Sequence, residues 1–155
     1  MHENHHLIQH FYSAFTNGDA EAMADCYHDE VVFQDPVFGE LRGEEAGDMW
    51  RALLGRSKDL QIVFSDVTAG QHHGSARWMA VYTFSPTGKR VVNRVAAFFE
   101  FRDGKIIRHT DEFSFYNWAV QAFGWKGILL GWTGIMKTRV RTDARKLLSS
   151  VRNDG

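Results

Sequence analysis

Residues 76–116 read ARWMAVYTFSPTGKRVVNRVAAFFEFRDGKIIRHTDEFSFY, and this stretch decides the architecture. Two turn signals, Pro86-Thr87-Gly88 and Asp103-Gly104, divide it into three runs rich in β-branched and aromatic residues. The spacing predicts strands over Ala76–Ser85, Lys89–Phe101 and Lys105–Tyr116, joined as an antiparallel meander. Leu60–Val67, just upstream, reads as a fourth strand. Along Arg77–Ser85, Trp78, Ala80, Tyr82 and Phe84 alternate with Arg77, Met79, Val81 and Thr83, so both faces carry apolar groups. A sheet with one face in water needs no such pattern. One face is therefore expected to cover helices and the other to meet a second subunit.

Towards the N-terminus the period changes. Leu7, Ile8, Phe11, Tyr12 and Phe15 recur at helical spacing, with Asn17-Gly18 as the stop. Asp19 is placed to cap a second, short helix running to about Tyr27. Val31-Val32-Phe33 reads as a short strand ended by Asp35-Pro36. Between Gly43 and Gly55, Ala46, Met49, Trp50, Leu53 and Leu54 mark an amphipathic helix. Helices come first and long strands follow, which predicts an α+β fold rather than alternating βαβ units. A sheet of such long strands must twist and curl, and helices on one side close it into a cone. The expected architecture is thus a cone-shaped, curved antiparallel sheet packed against N-terminal helices.

The 155-residue chain is the size of one domain. Its 44% apolar and 24% charged content is that of a globular protein, and 14% aromatic is heavy enough to suggest a lined cavity or an interface. Cys26 is the lone cysteine, which excludes an intrachain disulfide and a multi-cysteine zinc site. A net charge of -1 argues against a general nucleic-acid binder. Met1–Leu7 lacks the pattern of a secretory signal, and the apolar run Gly127–Met136 is shorter than the ~20 residues a spanning helix needs. The expectation is a cytoplasmic protein.

Residues 1–116 form the expected main domain, and 117–155 a C-terminal helical extension packing on it. Six basic residues after Met136 (Lys137, Arg139, Arg141, Arg145, Lys146 and Arg152) face only Asp143 and Asp154 in the same segment. Trp118, Ala119, Ala122 and Phe123 keep helical spacing up to Gly124, and Thr142–Arg152 reads as a short basic helix. Trp125, Trp132 and the apolar residues between them are expected to be buried as a lid. Tryptophans beside lysines also suit peripheral membrane contact, a reading not favoured here.

The words Thr16-Asn17-Gly18-Asp19, Val32-Phe33-Gln34-Asp35-Pro36-Val37 and Arg102-Asp103-Gly104-Lys105 occur in an order and spacing that resemble the nuclear transport factor 2-like superfamily. Within it, the SnoaL-like polyketide cyclases and ketosteroid isomerases are the nearest in appearance, over about Leu7 to Tyr116. The resemblance implies a cone-shaped fold with a mainly apolar pocket, often dimeric, hosting isomerases, cyclases, epoxide hydrolases and inert binding modules. Fold alone does not choose among them. Ketosteroid isomerase, a standard case of an Asp base beside a tyrosine and a protonated aspartate, maps only in part. The base falls on Asp35, but Phe11 takes the tyrosine's place, Tyr12 points elsewhere, and the second aspartate falls near Ala97.

The last strand offers another set. His109, Asp111 and Phe113 alternate and share one face, with His109 and Asp111 roughly 6.6 Å apart along the strand. The resemblance makes that the pocket face. Asp35 is then the candidate base, with His109, oriented by Asp111, as acid or oxyanion donor. Phe15, Trp50, Val81, Asn93, Ala97 and Phe113 are the expected pocket walls, Asn93 donating to a substrate carbonyl. The function implied is cofactor-independent isomerisation or cyclisation of an apolar carbonyl compound. Whether the protein is an enzyme stays open: a binding module for a hydrophobic small molecule, an epoxide hydrolase with Arg77 as bridging arginine, and a scaffold acting through the outer sheet face are the alternatives. Asp35 also suits a plain turn-starting role, and His109 with Asp111 a satisfied structural pair. No metal site is expected, because His109, Asp111 and Glu112 cannot face one way on a strand. Trp78, Tyr82 and Phe98 are the rings expected at a homodimer interface.

Overall fold

The computed structural model describes residues 2–124 and 134–154. Helices α1 (Glu3–Thr16) and α2 (Ala20–Asp25) lead into β1 (Tyr27–Asp35) and β2 (Gly39–Arg42), then α3 (Glu44–Arg56). Strands β3 (Gln61–Ala69), β4 (His73–Phe84), β5 (Lys89–Arg102) and β6 (Lys105–Glu112) follow, and α4 (Phe115–Phe123) and α5 (Gly134–Asp154) complete the order. The architecture is α+β: one curved six-stranded sheet in the order β2-β1-β6-β5-β4-β3, with helices packed on it. All neighbours are antiparallel except β1 and β6, which run parallel and bring the early and late parts of the chain together.

Local chemistry explains most boundaries. Asp19 caps α2 by accepting from the Ala22 amide at 3.0 Å. Asp103-Gly104 closes the β5–β6 hairpin with both residues at positive φ, as a two-residue turn demands. At Gly74 a Cβ would stand 2.9 Å from Ile8 Cδ1 and from the Thr68 carbonyl oxygen, so α1 and β3 close on bare backbone there. Two boundaries differ from expectation. The first strand is nine residues long rather than three, because pairing with β6 along Val32–Gln34 extends a run whose own propensity is short. The last strand stops at Glu112 rather than Tyr116: the Ser114 side chain accepts from the Asn117 amide at 3.1 Å and starts α4 instead.

The core lies between the sheet's inner face and α1 to α3, around the wholly buried Phe11, Tyr12, Phe33, Met49 and Trp50. A second cluster seats α4 and α5 at the far end through Val91, Phe115, Trp118, Ala119 and Val140. Register corrects the expected outer face. Trp78 opposes Val95 and Tyr82 opposes Val91, both buried residues of the inner face, so these two rings point inward. Trp78 packs against Phe15 at a centroid distance of 5.3 Å, and Tyr82 accepts a hydrogen bond from Trp118 Nε1 at 2.9 Å. Of the three rings expected at a subunit interface only Phe98 is exposed, at 46%. Trp125 and Trp132, expected under a lid, lie outside the described residues. Among the described residues no helix is long and apolar enough to cross a membrane.

Candidate active site

β1 and β6 run side by side with Phe33 opposite His109 and Gln34 opposite Thr110. The next inward position on each strand is an aspartate, Asp35 on β1 and Asp111 on β6. Parallel pairing of two chain segments 76 residues apart thus sets two carboxyls on one face, about 4.8 Å of strand spacing apart. Their charges act on each other.

His109 is fully buried among rings, with Phe99, Phe33 and Phe11 centroids at 4.5, 5.0 and 5.5 Å. Both of its ring nitrogens are engaged. Trp50 Nε1 donates to the Tyr27 hydroxyl at 2.9 Å, and that hydroxyl lies 2.8 Å from His109 Nδ1. Since the indole only donates, the Tyr27 proton goes to Nδ1, leaving His109 Nε2–H to donate to Asp111 Oδ1 at 2.8 Å. Trp78 Nε1 donates to the same oxygen at 3.3 Å. The chain Trp50–Tyr27–His109–Asp111–Trp78 is consistent from end to end, and it holds Asp111 in one orientation. His109 therefore does not meet a ligand directly in this arrangement. Burial pushes the Tyr27 hydroxyl far above the ordinary tyrosine range, so it remains a donor.

Asp35 stands where β1 meets its turn. Its Oδ1 accepts from the amides of Val37 at 2.9 Å and Phe38 at 2.6 Å, which shapes the turn into β2. Among the described residues Oδ2 takes no hydrogen bond, which leaves it for a ligand. Although the residue is only half-buried, its carboxyl is desolvated, and this pushes it up to about 7. The charge of Asp111 adds to that rise, while the two turn amides and Arg141 work against it.

Tyr12 was expected to point elsewhere, and the structure turns it inward. Among the described residues its buried hydroxyl has no hydrogen-bond partner, and burial, with the charge of Asp111 adding to it, raises it well above the ordinary range. The ring stacks on Phe64 at 5.4 Å and tilts against Trp78 at 6.4 Å. A buried donor with nothing to bind is what a site for a ligand oxygen looks like before the ligand arrives. Helical period alone cannot separate Phe11 from Tyr12, because both are wholly buried. The alternation of Trp78 with Arg77 and Met79 is the signal for the indole, and only the pairing of β4 with β5 tells which face is inward.

The remaining expected wall residues divide. Phe15, Trp50 and Ala97 are buried on the inner side, and Asn93 opposes Ala80 on the inner face. Phe113, half-buried, packs with the α4 cluster. Val81 opposes Val92 and alternates with the inward Ala80 and Tyr82, so it lies on the outer face and lines no inner pocket. Arg77 is outward too, 3.9 Å from Asp66, and bridges no aspartates inside. A groove of about 480 Å³ between Val32, His72, His73, Glu100 and Arg108 opens on that outer face. Among the described residues no cluster of three ligating side chains is set up for a metal.

A curved sheet closed by helices over buried carboxyls and hydroxyls defines a roll of the nuclear transport factor 2 and ketosteroid isomerase type. The SnoaL-like domain matches residues 8–109, and the chain belongs to that family. Solved structures agree. A nuclear transport factor 2-like protein of unknown function from Burkholderia pseudomallei superposes with a TM-score of 0.69 at 12% identity, covering 80% of this chain and 100% of that one. An epoxide hydrolase of the LEH-like type from M. tuberculosis gives 0.64 at 22% identity, over 86% and 95%. A protein from Xanthomonas campestris pv. campestris, provisionally named a polyketide cyclase, gives 0.59 at 27% identity, over 75% and 93%. No curated protein matches the sequence.

Proposed function

We propose that this protein catalyses proton transfer next to the carbonyl of an apolar small molecule, an isomerisation or aldol-type cyclisation without a cofactor. One observation carries the reading. A desolvated carboxyl, Asp35, and a buried hydroxyl, Tyr12, both feel the charge of Asp111, and among the described residues neither Asp35 Oδ2 nor the Tyr12 hydroxyl has a hydrogen-bond partner. A base at about 7 is partly ionised at neutral pH and takes a proton from a carbon acid more readily than an ordinary carboxylate. Asp35 Oδ2 accepts the α-hydrogen as a proton, and the C–H electron pair moves into an enolate. The Tyr12 hydroxyl donates to the enolate oxygen, a bond that strengthens as charge develops. The neutral Asp35 then returns the proton to another carbon, or the enolate carbon attacks a second carbonyl within the same molecule and Asp35 returns the proton to the alkoxide formed there. Asp111, held by His109 and Trp78, raises the proton affinity of both groups through its charge. His109 acts here as a positioning residue, which replaces its expected role as direct acid.

The polyketide cyclase and epoxide hydrolase neighbours support a small-molecule pocket, and the outward Arg77 weighs against epoxide opening. A homodimer across the outer face, centred on Phe98 and Val63, belongs to the same reading. The test is hydrogen exchange at the α-carbon of a panel of cyclic and polyketide-like ketones in D2O, followed by proton NMR. Enzyme-dependent exchange is expected, lowered about 100-fold or more by Asp35→Asn and about 10-fold or more by Tyr12→Phe. Saturable binding of several ketones with no exchange in any of them favours the non-catalytic binding module.

A further inference from the structure

Helix α5 lies beyond the SnoaL-like match, which ends at His109, yet it reaches back onto the turn that carries Asp35. Arg141 Nη2 donates to the Pro36 carbonyl at 3.3 Å, and Arg145 Nη2 to the Glu40 carbonyl at 2.7 Å. Between these two anchors stands Gly39, at φ +72°, where a Cβ would lie 3.0 Å from Arg141 Nε and 3.2 Å from Cζ. The guanidinium occupies the room that a side chain at this position would need. Val140 and Leu148, 8% and 6% exposed, seat the helix in the two apolar clusters. Among the described residues the buried Arg141 Nε has no hydrogen-bond partner. A helix held only for packing would do as well with an apolar residue here, since a buried, incompletely bonded guanidinium is costly.

We propose that Arg141 is a positioning residue for Asp35: α5 holds a fixed positive charge against the Asp35–Gly39 turn and so favours the ionised form of that carboxyl. The groups facing Asp35 come from three elements, Asp111 on β6, Tyr82 on β4 and Arg141 on α5. Burial and Asp111 disfavour the carboxylate, whereas Arg141 and the amides of Val37 and Phe38 favour it. The C-terminal helix is then part of the working site. The inference rests on the acid–base reading only for its consequence in turnover, because the ionisation of Asp35 is measurable with no substrate.

The experiment is a carbon-13 NMR titration of the Asp35 carboxyl in the full chain, its signal assigned by Asp35→Asn. Arg141→Gln is expected to raise the midpoint by about half a pH unit or more, as loss of a nearby opposite charge does to an acid. Arg141→Lys, which keeps the charge, is expected to stay near the native midpoint, and Arg145→Gln, which removes only the second anchor, to move it less than Arg141→Gln. An unchanged or lowered midpoint in Arg141→Gln overturns the proposal, the lowered case meaning that the helix acts by covering Asp35. Equal shifts in the Gln and Lys variants overturn it too, as does an Arg145→Gln shift as large as that of Arg141→Gln. If Arg141→Gln does not fold, the Lys variant decides alone: a native midpoint supports the charge role and an upward shift of half a unit rejects it. A shift in Arg141→Gln with no exchange of any ketone counts against the proposed reaction and leaves this inference standing.

Discussion

Asp35 does two jobs with its two oxygens. Oδ1 ties the turn through the Val37 and Phe38 amides, while Oδ2, without a hydrogen bond among the described residues, is the atom the proposed reaction uses. The turn-starting and base readings of this residue are therefore compatible. Its displacement to about 7 has a consequence for stability. The folded value lies above that of the unfolded chain, so between about pH 4 and 7 the folded state binds the extra proton. The contribution of Asp35 thus falls as pH rises through that window, and above it the ionised carboxyl opposes folding. Asp35→Asn keeps an oxygen for the turn amides and removes the charge. It is expected to raise the melting temperature relative to the native chain at pH 8 and to leave it nearly unchanged at pH 4. Calorimetry at the two pH values checks this; equal effects at both would mean that the carboxyl is solvated.

At the scale of elements, two close approaches do most of the positioning. Gly74 lets α1 descend on β4 beside Ile8 and Phe101, and that descent carries Tyr12 over the inner face. Because one of the nearest atoms is the Thr68 backbone oxygen, Gly74→Val has nothing flexible to displace. It is expected to destabilise by about 1–3 kcal/mol, as overpacking does, and to weaken ketone binding as Tyr12 shifts. Urea denaturation and a ligand titration on the same variant measure both. The parallel β1–β6 pair is the other element-scale device, because it alone joins Asp35 to Asp111.

For the whole molecule, the outer face of the sheet leaves Phe98 46% and Val63 61% exposed, with Met79, Val81 and Val92 on the same face. Burial of about 800 Å² per subunit around them would make a stable pair. Phe98→Arg is expected to convert a dimer into monomer by light scattering at micromolar concentration, with the monomer's fold intact by circular dichroism. A native chain that is already monomeric there removes the interface. It leaves the inner site untouched, since Thr110, opposite Phe98, points away from His109 and Asp111.

The α+β order, the four later strands and the capping of α2 were legible in sequence because each rests on local chemistry: periodicity, turn residues and a side-chain cap. The strand parity of His109 and Asp111 was legible for the same reason. Which face of the sheet lies inward was not, because Arg77–Ser85 carries apolar groups on both sides, and only pairing with β5 turned Trp78 and Tyr82 in and Val81 out. Nor was the edge strand β2, whose four residues bury one leucine, Leu41, and gain their order from β1. Phe11 and Tyr12 are adjacent and equally buried, so where the Tyr12 hydroxyl points belongs to the packing of α1. The meeting of Asp35 with Asp111, of Tyr27 with His109, and of Arg141 with the Asp35 turn spans some 76 to 106 residues of chain. Such contacts are set by topology, which no local pattern encodes.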